Sequence, residues 1–222
     1  PQCRANHKWV NVNTWTGHYS TEMFDISKDL RAVVDLTDAI MDEYSVDETR
    51  QYMTGHSMGG LAVWDLLARF PGRYAAAIPI SGAGNDPQMA KNMKDVNIWA
   101  FHGALDATVD ISVTENMVDA LRAQDGNILY TSYADKDHSI GTYVYQNEAD
   151  ILDFLFCSRQ GEANKYFAEK PTVPAVPDDL LSRQSFSFVN NVSKTDYNGM
   201  HYSKTDALSW TIPSDTTLRA NG

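Results

Sequence analysis

Residues 51 to 60 read QYMTGHSMGG and put Ser57 between Gly55 and Gly59, where one patterned run ends and another begins. Ahead of the serine, Gln51 to Thr54 reads as a short strand with Tyr52 and Met53 as its bulky members. Behind it, Leu61, Ala62, Val63, Leu66, Leu67 and Phe70 recur at the three- and four-residue spacing of a helix with one buried face. Pro71-Gly72 stops that helix. A strand that enters a helix through a tight glycine turn leaves its middle residue on a strained elbow with the side chain exposed. The junction therefore asks for an architecture in which strands and helices alternate.

The rest of the chain agrees. Residues 4 to 24 are rich in Trp, Asn, Thr and Gly with little periodicity, which predicts a loop. Either Asp25 or Ser27 caps the helix that follows, whose apolar stripe is Leu30, Val33, Val34, Thr37, Ile40, Met41 and Tyr44. Strands are predicted over 74–81, 96–103 and 127–134, and helices over 112–123 and 146–156. Strands separated by helices of this length form a mainly parallel sheet with helices on both faces. An α/β domain is thus expected over residues 1–160. Pro171, Pro174 and Pro177 then mark a linker over 161–181, and the polar, aromatic stretch 182–222 reads as a tail or the start of a second module.

A serine hydroxyl is a poor nucleophile near neutrality and needs a base, which in turn needs an orienting acid. In a parallel sheet those partners belong on loops at the carboxyl ends of later strands. Asp106 follows the strand ending at Gly103, and His138 follows the strand ending near Ala134. The order Ser57, Asp106, His138 is nucleophile, acid, base. Alone, His138 in "DKDHS" reads more readily as a surface residue and Asp106 as a turn cap. Their shared topology turns them into candidates. Asp110 is the rival acid, with a competing role as the cap of the next helix. Asp135 and Asp137 flank His138 closely enough to raise its proton affinity.

These stretches resemble the α/β-hydrolases, and more narrowly the secreted esterases and peptidases related to polyhydroxybutyrate depolymerases and feruloyl esterases. The likeness runs from "PQC" at 1 to 3 through "YSVDETRQYMTGHSMGG" at 44 to 60 and "FHGALDATVD" at 101 to 110 to "DKDHS" and "ILDFLF". It implies that Ser57, Asp106 and His138 form a catalytic triad and that the Met58 backbone N–H is one oxyanion donor. The family often has proline after the valine of the acid loop, where this chain has Asp110. In the resembled family several strands, and the loop with the second oxyanion donor, come before the "PQC" segment. The expectation is therefore a hydrolase lacking its N-terminal strands, as a fragment or with another chain supplying the rest; Gly17 and His18 are a weak substitute for the donor. The implied activity is cleavage of carboxylic esters through an acyl-enzyme, with acetyl or feruloyl esters of plant polysaccharide as candidates. A serine peptidase of the same fold, or a non-catalytic binding piece, are the alternatives.

Candidate pocket residues are His56, Trp15, His18 and Tyr19, whereas Trp64, on the helix after the elbow, reads as packing. The net charge of -11 argues against nucleic acid or an anionic membrane as a partner. No apolar run reaches spanning length. Cys3 and Cys157 make neither a disulfide framework nor a metal set, so no cofactor or metal is expected. Missing strands would expose a sheet edge open to a second copy or a complementing chain. A secreted location is expected from the resemblance alone.

Overall fold

A computed structural model describes residues 1–12, 19, 21–84 and 87–168, together with the strand residues 185–189, 194–195 and 207–211. Trp15, Gly17 and His18 lie outside the described residues, as do residues 169–181 of the predicted linker. The first helix, α1, spans Lys28–Glu43. Of its two candidate caps the structure uses Ser27, whose Oγ accepts from Leu30 N at 3.0 Å and donates to Trp9 O at 2.6 Å. One hydroxyl thereby starts the helix and ties the preceding loop to it.

The sheet is built from β1 (Tyr52–His56), β2 (Ala76–Ile80), β3 (Asn97–Gly103) and β4 (Ile128–Tyr133) in that spatial order, all parallel. Between them lie α2 (Met58–Arg69), the short α3 (Pro87–Ala90) and α4 (Ile111–Arg122). After β4 come α5 (Gly141–Asn147), α6 (Ile151–Phe156) and α7 (Lys165–Ala168). Beyond these, β5 (Ser185–Val189) and β7 (Ala207–Thr211) form a separate antiparallel pair, and β6 (Lys194–Thr195) pairs antiparallel with β4. Among the described residues β1 has a neighbour on one side only.

Strand alternation sorts the core into two layers. On one face Ala77, Ile98 and Ala100 meet Leu61, Trp64 and Leu67 of α2, Leu30 and Val34 of α1, and Met117 and Leu121 of α4. On the other, Ile78, Ile80, Phe101 and Tyr133 meet Ile140, Val144, Ile151 and Phe154. Helices therefore cover both faces, the arrangement of an α/β-hydrolase, and Trp64 is packing as its position predicted.

Three details depart from the sequence reading. The strand expected to stop at Thr54 runs on through His56, because Gly55 and His56 keep register with Pro79 and Ile80. The single helix expected over 146–156 is two, with Glu148 extended at φ -84° and ψ 97° between them. The break has a cause: the Tyr133 hydroxyl donates to the buried Glu148 carboxylate, which a continuous helix would carry elsewhere. The α1 stripe is only half covered among the described residues, since Leu30 and Val34 are buried while Ile40 and Tyr44 are exposed.

Two contacts fix α2. Arg69 Nε donates to Asp65 Oδ1 at 2.7 Å, and Arg69 Nη2 donates to Phe24 O at 2.5 Å, pinning the segment before α1. The Asp65 side chain is 1% exposed, and burial pushes its carboxyl up while Arg69 pulls it only part of the way back. Arg69→Met should cost about 3–5 kcal/mol in urea unfolding, because it leaves a buried carboxylate unpaired. The double variant Asp65→Asn with Arg69→Met should lose clearly less than the single. The second contact is a close approach of backbones: a Cβ on Gly60 would stand 2.7 Å from Ile80 O and 2.9 Å from Gly82 Cα. Gly60→Ala should therefore destabilise by about 1–3 kcal/mol. Gly59→Ala, whose Cβ meets nothing within 4 Å, should be neutral or stabilising in the same melt.

Candidate active site

The elbow is visible in the backbone. Ser57 sits at φ 57° and ψ -119° between the last residue of β1 and the first of α2. A side chain in that region is strained and persists only where the surroundings impose it. They do so here: Ser57 N–H donates to Ile80 O at 2.9 Å, and Leu61 N–H donates to Ser57 O at 3.0 Å. Gly55 is required by closeness, because a Cβ there would collide with the Gly59 backbone. Met58 opens α2, where helix N–H groups lack intrahelical acceptors.

The structure brings Ser57, His138 and Asp106 into one hydrogen-bonded line. His138 Nε2 is 2.7 Å from Ser57 Oγ, and His138 Nδ1 is 2.7 Å from Asp106 Oδ2. With the carboxylate as acceptor, Nδ1 carries the proton and Nε2 is left free to accept from the serine hydroxyl. The Asp106 side chain is wholly buried, while that of His138 is 20% exposed. Asp106 Oδ1 accepts from Val109 N at 2.8 Å and from Thr108 N at 2.9 Å. Burial opposes ionisation of Asp106, but those N–H groups and the imidazole outweigh it and hold the carboxyl below its usual range.

The loops carrying Asp106 and His138 are joined. Ala104 N donates to Tyr133 O at 2.8 Å and Leu105 N donates to Lys136 O at 2.9 Å, so the segment after β3 rides on the one after β4. Asp110, the rival acid, instead caps α4: its Oδ1 accepts from Ser112 N at 2.9 Å. Asp135 pairs with Lys136 at 2.7 Å and Asp137 accepts from Ser139 N at 2.8 Å, so both carboxylates that flank His138 in sequence are engaged elsewhere.

Of the candidate pocket residues, His56 is half-buried and donates from Nε2 to His138 O at 2.6 Å. Its ring centroid lies 5.1 Å from that of His138. Tyr19 is not a pocket wall. It is 1% exposed and stacked on Phe24 at 6.2 Å, because the loop folds its ring into the layer beneath α1 and α2. Residues the sequence did not single out also reach the site. His102, buried on β3, is 3.1 Å from Asp106 Oδ2 and 2.8 Å from Thr114 Oγ1. Thr114 faces inward on α4 beside Val113 and Met117, and a polar residue on that apolar stripe was the one available signal. Among the described residues no cluster of His, Cys, Asp or Glu could hold a metal ion, and no helix is long and apolar enough to cross a membrane.

The family model described as Phospholipase/Carboxylesterase matches residues 1–156. The bifunctional acetylxylan esterase/xylanase of Neocallimastix patriciarum is 30% identical over 98 residues, which is 44% of this chain and 14% of that protein. The crystal structure of a thermostable esterase superposes with a TM-score of 0.58 at 31% identity, over 66% of this chain and 41% of that one. Arabidopsis thaliana SOBER1, in a variant form, superposes with a TM-score of 0.50 at 18% identity over 67% of this chain and 74% of its own, a likeness of fold alone. The chain thus spans less than half the length of the first two proteins. The elbow at Ser57, the parallel sheet that presents it and the match over residues 1–156 lead to one conclusion: this chain belongs to the phospholipase/carboxylesterase family of α/β-hydrolases.

Proposed function

We propose that this chain carries the site of a serine esterase, in which Ser57 attacks an ester carbonyl, His138 is the general base and Asp106 orients the imidazole. The observation that carries this reading is the unbroken line from Ser57 Oγ through His138 to Asp106, at 2.7 Å for each link. As the Oγ–C bond forms, the hydroxyl proton moves to Nε2 and the carbonyl oxygen becomes an oxyanion facing Met58 N–H. Collapse breaks the ester C–O bond, and the alcohol leaves with the proton from Nε2. Water then attacks the acyl-Ser57 ester with Nε2 again as base, and the acid departs with Ser57 regenerated. Asp106 stays ionised throughout, which its buried N–H contacts favour.

Acetyl esters of plant polysaccharide are the proposed substrate class. What supports this is the likeness to an acetylxylan esterase/xylanase, together with the sequence resemblance to esterases related to feruloyl esterases and polyhydroxybutyrate depolymerases. Such a substrate accords with a location outside the cell. The test is acetate release from acetylated xylan against ferulate release from a feruloylated one; ferulate alone would move the substrate class, and neither would remove it.

Ser57→Ala should lower hydrolysis of 4-nitrophenyl acetate by roughly 10³–10⁶ with an unchanged melting curve. Equal rates in both proteins would remove the esterase reading. Asp106→Asn should lower kcat by about 10⁴, because the imidazole loses the partner that fixes its tautomer. Asp110→Ala should leave kcat near wild type and cost about 0.5–2 kcal/mol of stability as a lost helix cap. Reversal of those two results would transfer the acid's role to Asp110.

A further inference from the structure

His102 is 0% exposed at the penultimate position of β3, and its Nε2 faces the loop that carries Asp106. Its Nε2 is 3.0 Å from Val109 O and 3.1 Å from Asp106 Oδ2, the same oxygen that His138 Nδ1 approaches at 2.7 Å. Both groups facing Nε2 are acceptors, so the ring proton sits on Nε2. Nδ1 is then a lone pair 2.8 Å from Thr114 Oγ1, whose single hydrogen is shared between Nδ1 and Gly82 O, also at 2.8 Å. Nε2–H therefore donates to Val109 O while lying 3.1 Å from the carboxylate oxygen that takes His138 Nδ1–H. The chain of contacts runs from the end of β2 through α4 and β3 to Ser57.

We propose that His102 is a positioning residue for Asp106: its Nε2–H, bridging Asp106 Oδ2 and Val109 O, holds the acid loop closed and keeps Oδ2 aimed at His138 Nδ1. A neutral ring suits that task, since it supplies one donor and adds no charge that would compete with a protonated His138. Burial pushes the His102 imidazole down, and the Val109 carbonyl and Asp106 only partly offset this, so the ring stays neutral near pH 7. The ionisable groups near it are Asp106, His138 and Asp110, the last engaged with Ser112. The catalytic consequence rests on the esterase reading; the positioning itself does not.

The test compares His102→Met, which removes the donor, with His102→Gln, whose amide N–H reaches a similar place. Turnover of 4-nitrophenyl acetate is measured beside the low-field proton resonance of His138 Nδ1–H. His102→Met should lower kcat by roughly 10–100-fold with KM within about twofold, and should broaden or shift that resonance. His102→Gln should recover kcat to within about fivefold of wild type and restore the signal. Thr114→Val, which frees the ring without removing it, should fall between the two. If His102→Met does not fold, His102→Gln and Thr114→Val decide: a displaced His138 signal in Thr114→Val with recovery in His102→Gln supports the role. Should His102→Met and His102→Gln behave alike, with the His138 resonance unmoved, His102 is packing only. An inactive wild type would defeat the esterase reading, while the resonance would still report on His102.

Discussion

The left-handed backbone at Ser57 is the constraint on which the rest of the site depends. Such a conformation costs of order 1–3 kcal/mol for a non-glycine residue and survives only where its surroundings impose it. β1 delivers the residue in register with β2, Ile80 O takes its N–H, and α2 starts at once behind it. The closeness of Gly55 to Gly59, and of Gly60 to Gly82, lets the helix sit near enough to the strand ends for that turn to close. The glycine pattern is thus a packing requirement before it is a chemical one, and it leaves the serine hydroxyl presented to its partners.

Those partners are positioned by backbone bonds between loops. The bonds from Ala104 and Leu105 to Tyr133 and Lys136 make the Asp106 and His138 loops one unit, and β3 and β4 pair directly beneath them. The buried Tyr133–Glu148 bond then sets where α5 ends, and His56 reaches from β1 to the His138 carbonyl. A change in any of these would move the His138 ring relative to Ser57 without touching either side chain.

How far the sequence disclosed this follows from what periodicity records. Alternating strands and helices were legible because their apolar spacing is a direct imprint of burial. Ser57, Asp106 and His138 were legible as positions because parallel strands all present their carboxyl ends to one rim. For Asp110 the sequence left two roles open, rival acid or helix cap, and only the bond from Ser112 N shows the cap. What stayed hidden depends on long-range contact. Tyr19 gave no sign that its ring turns inward, and nothing in the spacing of 146–156 announced that Tyr133 would bond Glu148 and split the helix. His102 was hidden for the same reason: a buried histidine in a strand looks like any other alternate residue until its Nε2 is matched to acceptors 4 and 7 residues away and its Nδ1 to the Thr114 hydroxyl.

If His138 makes Ser57 nucleophilic, covalent capture of the serine should depend on the imidazole. The most direct measurement is covalent labelling with a fluorophosphonate, with the adduct located by peptide mass spectrometry and its rate compared in wild type and His138→Ala. One adduct per chain is expected, on Ser57, forming at least about 10³ times more slowly without the imidazole. An adduct on another residue, or Ser57 labelled at the same rate in both proteins, would contradict it.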